Sequence, residues 1–171
     1  NSMGDGIAFN DSVLTANISS VDSLEISGGI NISDITGIDG FASLEFLKVH
    51  NPNNISSIDF TSNVNLNYLH LATPTLNSLD LSNNLNLDYL GIFISQLTSI
   101  DLSNNINLTN LNINQSPITS LDLSSNFSLT DLNIGMTSIS SLDLSNNVSL
   151  INCSLGENNQ MDSINFNNCN N

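Results

Sequence analysis

The chain is 171 residues long, 39% apolar and only 5% aromatic, with no tryptophan, a composition that suits one domain with a continuous Leu/Ile core. Sixteen Asp and Glu stand against one basic residue, Lys48, for a formal charge of -15. Such a surface repels phosphate and anionic lipid, which argues against nucleic acid and membrane partners and leaves metal ions and basic proteins open.

Residues 1–20 read as an irregular capping segment. Their opening, NSMGDGI, shares Asn1, Asp5 and Gly6 with the Asp-x-Asn-x-Asp-Gly calcium loop, but Met3 takes a ligand position and no Glu follows at position 12. No signal peptide opens the chain and no run is long enough to span a membrane. Residues 21–171 read as a solenoid of about seven coils.

Within that span one pattern recurs every 21 residues. Its anchor, Leu/Ile-Asp-Leu/Phe, begins at Ile58, Leu79, Ile100, Leu121 and Leu142, with a degenerate copy one residue late at Ile164. Between anchors lies a second apolar motif: Leu66-Leu69-Leu71, Leu87-Leu90-Ile92, Leu108-Leu111-Ile113, Leu129-Leu132-Ile134 and Leu150-Cys153-Leu155. Alternation over so few residues predicts strands, with no helical period anywhere. Two short parallel strands per 21-residue coil, stacked at about 4.8 Å, give a β-rich solenoid roughly 35 Å long, with Leu79, Leu81, Leu90, Leu111 and Leu132 buried in layers. Asn63, Asn84, Asn105, Asn126 and Asn147 form one further column, where an amide can satisfy backbone groups at a bend. Cys153 and Cys169 make neither a disulfide framework nor a zinc-ligand spacing, and whether they pair is open.

The nested unit LDYLGIFISQLTSIDLSNN, from Leu87 to Asn105, resembles the 21-residue IRREKO-type leucine-rich repeat of bacteria. The leader from Val13 to Leu47 is similar to the opening of secreted Bacteroidetes surface proteins. The resemblance covers nearly the whole chain. It implies a leucine-rich-repeat fold and a role in recognition and attachment without catalysis, at an extracellular or outer-membrane location. Family members carry a signal peptide before this region and a sorting domain after it, so the sequence reads as a fragment of a longer exported protein.

With the Leu and Ile columns facing inward, the residues between them form two outer faces. The anchor face repeats Ser-x-Asp-x-Ser and stacks Asp59, Asp80, Asp101, Asp122 and Asp143. At a spacing of about 4.8 Å such charges repel by roughly 0.9 kcal/mol per contact even in water, so these carboxylates are expected to titrate above the ordinary aspartate value. Their plain reading is a consensus residue hydrogen-bonded by Ser and Thr. The alternative is a cation array, with Ca2+ as the one candidate cofactor, or a docking array for ice or mineral. Glycoside hydrolysis is disfavoured because five equivalent carboxylates cannot divide acid and base roles.

The other face departs from its consensus. Phe46, Lys48, His50, Tyr68, His70, Tyr89 and Phe93 fall on three adjacent coils, whereas later coils present only groups such as Asn110, Asn112 and Asp131. Chance drift is the bland account. Aromatics beside hydrogen-bonding heads are also what a protein or carbohydrate ligand needs, with stacking expected on Tyr68 or Tyr89. The sequence thus predicts a non-enzymatic protein-binding or glycan-binding adhesion module, which self-associates, if at all, through the solenoid ends or the aromatic face. A structural spacer or adhesin stalk is the alternative.

Overall fold

A computed structural model describes residues 18–27, 32, 34–50 and 55–168. The NSMGDGI opening, most of the expected capping segment and Cys169 lie outside the described residues. The described chain winds as a parallel β-solenoid. Strands β1 (Ser23–Ser27), β2 (Phe46–His50), β3 (Tyr68–Ala72), β4 (Tyr89–Phe93), β5 (Asn110–Asn114), β6 (Asp131–Gly135) and β8 (Asn152–Ser154) pair in that order into one parallel sheet of seven strands. Strands β7 (Ser141–Asp143) and β9 (Ser163–Asn165) form a two-stranded sheet on the far side.

Register is fixed by the repeat. Leu69 lies beside Leu90, Leu90 beside Leu111 and Leu111 beside Leu132, so every inward Leu stacks on an inward Leu and every outward residue on an outward one. The core is accordingly a set of columns: Leu66, Leu69, Leu71, Leu76 and Leu81 in one coil, and Leu87, Leu90, Ile92, Leu97 and Leu102 in the next, are all at most 1% exposed. Leu79 departs from the expected full burial. With Ile100 it packs only partly against the core, whereas Ile58, Leu121 and Leu142 of the same column are buried, so this column forms the core's outer margin.

The second strand of each coil is less developed than the alternation suggests. Among the described residues the anchor segments form a ladder only in β7 and β9; earlier coils are joined there by isolated backbone bonds such as Asn77 N–H to Ser56 O and Thr119 N–H to Thr98 O. The extended stretch at each anchor is short and runs straight into a turn, which Asn84 N–H closes on Leu81 O and Asn105 N–H closes on Leu102 O.

That turn is held by the asparagine column. Each buried side-chain amide donates both hydrogens to carbonyls of the preceding coil. Asn84 Nδ2 reaches Phe60 O and Asn63 O at 3.2 and 2.8 Å, Asn105 Nδ2 reaches Leu81 O and Asn84 O at 3.1 and 2.9 Å, and Asn126 and Asn147 repeat the pattern. The column starts on the 3-10 turn Ile38–Gly40, where Asn63 Nδ2 reaches Ile38 O and Phe41 O. A solenoid bend points its carbonyls along the axis where no water reaches them, and an amide is the side chain that offers two parallel donors at that reach.

Replacing Asn105 by Ala leaves Leu81 O and Asn84 O buried without these donors, and each orphaned acceptor costs about 1–3 kcal/mol. Urea denaturation should therefore show Asn105→Ala less stable by about 2 kcal/mol or more. The neighbouring Ile106→Ser, at a side chain 54% exposed, should stay within about 0.5 kcal/mol of wild type. Equal losses in the two variants would contradict this account of the turn.

Candidate functional site

The outward residues of the sheet form three rows set by register. The first runs Phe46, Tyr68, Tyr89, Asn110, Asp131, Asn152; the second Lys48, His70, Gly91, Asn112, Asn133, Ser154; the third His50, Ala72, Phe93, Asn114, Gly135. All seven residues picked from the sequence for ligand contact thus meet on β2, β3 and β4. In-register parallel pairing puts equivalent side chains of successive coils next to one another, and the aromatics use it. Phe46 stacks on Tyr68 with centroids 4.4 Å apart, and Tyr68 on Tyr89 at 4.2 Å with planes 6° apart.

A second stack crosses between rows. His70 lies on Phe93 at 4.8 Å and 22°, a diagonal that is open because the other two corners of that square are Ala72 and Gly91. Both small residues are buried under the ring layer. A Cβ on Gly91 would sit 2.9 Å from Tyr89 Oη and 3.0 Å from Phe93 Cε2, so the two rings converge over this glycine and leave no room for a side chain. Burial pushes the Tyr89 hydroxyl up to about 12, with Tyr68 beside it adding to the shift. Burial first, then the positive charge of Lys48 and of His50, lowers His70 below the usual histidine value. Lys48 forms an ion pair with Glu25 at 3.1 Å, so the one cation of this face already has its counter-charge.

This packing corrects one expectation. Both faces of the Tyr68 ring are covered by Phe46 and Tyr89, so a ligand cannot stack on it and meets only its edge and hydroxyl. Tyr89 keeps one ring face, the one turned toward the next coil and Asn110.

On the anchor face the expectation of raised aspartate titration is overturned. Asp59, Asp80, Asp101, Asp122 and Asp143 are all held below the usual carboxylate value. The cause is the residue two positions on. The hydroxyls of Thr61, Ser103, Ser124 and Ser145 are the largest influence on their aspartates, followed by a backbone N–H donated to Oδ1 at 2.9 Å. At Asp80 the backbone N–H of Ser82, also at 2.9 Å, leads and its hydroxyl follows. Repulsion between coils is present, as Asp59 and Asp101 acting on Asp80 show, but it is the smaller effect. A short hydrogen bond to a carboxylate outweighs a like charge that water screens a coil away. Each Asp is therefore an Asx turn that starts its bend, and among the described residues no group of three or more His, Cys, Asp or Glu side chains is arranged to hold a metal ion.

One surface escaped the sequence reading. Val64, Leu85, Ile106, Phe127 and Val148 recur at the same 21-residue period directly after the buried asparagines, and all are 47–57% exposed. They line the bend between the two faces, a place that an inward/outward alternation does not describe. The period alone would have found them.

No protein-family model matches the sequence, and no curated protein matches it. Among solved structures, the functional domain of InlJ from Listeria monocytogenes, described as including a cysteine ladder, superimposes with a TM-score of 0.75 at 26% identity, over 87% of this chain and 32% of that one. The chain therefore spans about a third of that protein's length. Two internalins from the same species, inlF and inlC2, match at 19% identity with TM-scores of 0.47 and 0.46, over 92% and 84% of this chain and 77% and 83% of theirs. The fold is that of a bacterial leucine-rich-repeat solenoid; where InlJ is described by its cysteines, the buried ladder here is one of asparagines.

Carboxyl NMR titration should place all five ladder aspartates below 3.8, and Ser124→Ala should move Asp122 upward. Folded values below unfolded ones mean stability that is present above pH 3.8 and lost as pH falls through the folded values. His70 acts in the same direction at higher pH: its folded value lies below 6.5, so stability falls as pH drops from 6.5 toward that value. A protein that gains stability on acidification across these windows would contradict both assignments.

Proposed function

We propose that this chain is a non-enzymatic recognition and adhesion module of a bacterial secreted or surface protein, and that its seven-stranded sheet is the face it offers to a protein or glycan partner. The observation that carries this reading is the ring layer on β2–β4. Phe46, Tyr68 and Tyr89 in one stack, with His70 on Phe93 beside it, make a rigid aromatic ridge whose ordering is complete before any partner arrives. Lys48, paired with Glu25, and His50 add polar heads at its margin. The likeness to InlJ, a bacterial protein, supports the bacterial setting.

Catalysis has no comparable support. General acid and base need two carboxyls in unlike environments, and the five anchor aspartates share one environment, an Asx turn that keeps each of them ionised. A spacer or stalk is the second reading, favoured by the regular asparagine column, which lets identical coils stack without limit.

Binding to a panel of immobilised extracellular proteins and glycans separates the two. A recognition module should retain at least one of them, and the Tyr68→Ala/Tyr89→Ala double variant should bind it about tenfold more weakly, while Asp122→Ala binds as wild type. Equal binding by the double variant would move the site off the ridge. A change in the molecular size of that variant in solution would show the ridge to be an assembly surface instead.

A further inference from the structure

The sheet face changes height along the solenoid axis. Across β2–β4 it carries rings; across β5, β6 and β8 it carries amides and hydroxyls, and the step down occurs at Tyr89. Beyond the step lies a trough of about 610 Å3, walled by Tyr89 and floored by Asn110, Asn112, Asp131 and Asn133. Because the Tyr89 hydroxyl leans over Gly91, the ring crosses from the first row toward the second, and its uncovered face overlooks both Asn110 and Asn112.

The polar groups of the floor divide by row. Those of the first row are engaged: Asp131 accepts from Asn152 Nδ2 at 2.6 Å and Thr130 Oγ1 at 2.7 Å, and Asn110 accepts from Thr109 Oγ1 at 2.7 Å. In the second row, Asn112 and Asn133 make no side-chain hydrogen bond to any described residue. Asn112 Oδ1 is buried without a partner, and rotation of the amide about Cβ–Cγ exchanges it with Nδ2, so this position can turn either a donor or an acceptor to the trough. The column asparagines also leave Oδ1 without a partner, but they are sealed in the core, whereas Asn112 is half-buried on the trough floor, where rotation of its amide brings either end to a ligand.

We propose that this trough binds a neutral saccharide, with one sugar ring laid against the outer face of Tyr89 and its hydroxyls on Asn112 and Asn133. A pyranose has an apolar C–H face that stacks on an aromatic ring, and hydroxyls that donate and accept as the side-chain amide does. Charge decides which saccharide. The trough lining holds no cation and includes the Asp131 carboxylate, in a chain of net charge -15, so uronic and sialic acids are repelled. An extended peptide fits less well. Leu111 and Leu132 of the lining are buried in the core, which leaves Tyr89 and the exposed Ile151 as the large apolar groups at its surface, enough for one sugar ring but not for the row of apolar anchors a peptide needs. The proposal rests on the sheet face being the recognition face and names the ligand class of its second half.

The test is titration of the 15N-labelled chain with neutral hexasaccharides of glucose, galactose and mannose, with hexagalacturonic acid, and with a neutral Ser/Asn-rich peptide. At least one neutral hexasaccharide should shift the side-chain amide signals of Asn112 and Asn133. Its affinity should fall about tenfold in Tyr89→Ala and in the Asn112→Ala/Asn133→Ala double variant, with circular dichroism unchanged, and stay at the wild-type value in Ile106→Ser. Gly91→Ala, which pushes on the Tyr89 ring, should weaken binding without touching the floor. Equal or tighter binding of hexagalacturonic acid, shifts from the peptide alone, or no shift with any neutral sugar at about 10 mM would overturn the proposal. The broader recognition reading stands or falls separately, on whether the panel yields a protein or glycan partner that is lost by Phe46→Ala, a ridge variant outside the trough lining.

Discussion

Everything in this protein is built on one side chain donating twice. The amide of each column asparagine caps two carbonyls of the coil before it, and those two bonds set the rise, the direction and the phase of the next coil. A donor pair of fixed geometry repeated every 21 residues allows only one way to stack, so the strands are parallel and their register does not slip. The Leu and Ile columns then close a dry core that contains no aromatic ring at most levels, Phe60 being the large exception. Hydrophobic burial supplies the driving force and the amides supply the register, since apolar contacts alone are indifferent to a small slide along the axis.

Phase-locked coils make the outer surface a lattice on which repetition and its failure have different meanings. Where the sequence repeats, as at the anchor aspartates, the same local solution is copied: a carboxylate caps its own turn, and the charge between coils is tolerated because the hydrogen bonds to each Asp are stronger than screened repulsion. Where the sequence breaks its repeat, neighbouring coils hold side chains that contact one another. The Phe46–Tyr68–Tyr89 stack and the His70–Phe93 diagonal exist only because three successive coils broke pattern together, and because Ala72 and Gly91 cleared the corners. The same break creates the step at Tyr89, below which the amide floor begins.

The backbone turn after the sheet follows the same logic. Ile94, Gln115, Met136 and Glu157 stand one coil apart with φ between 52° and 57°, a left-handed conformation that side chains rarely adopt. Four copies of one strained turn, none of them glycine, show that the stacked coils on either side impose the bend more strongly than the local residue prefers another. Backbone bonds between coils hold it there, Ile94 N–H to Asn114 O and Gln115 N–H to Gly135 O.

The sequence by itself determined the solenoid, its period, the inward columns, the asparagine column and the clustering of the seven residues on one face, because each of these follows from spacing along a chain whose coils are alike. What depends on contacts between coils was decided only in three dimensions. Alternation places Tyr68 outward but does not say that Phe46 and Tyr89 cover both its faces; charge counting gives five adjacent aspartates but not the donors two residues away that lower rather than raise their titration. The single long sheet, with its partial partner in β7 and β9, likewise depends on how soon each anchor meets its turn. Periodicity records where a side chain points, and distances across the stack decide what it meets there.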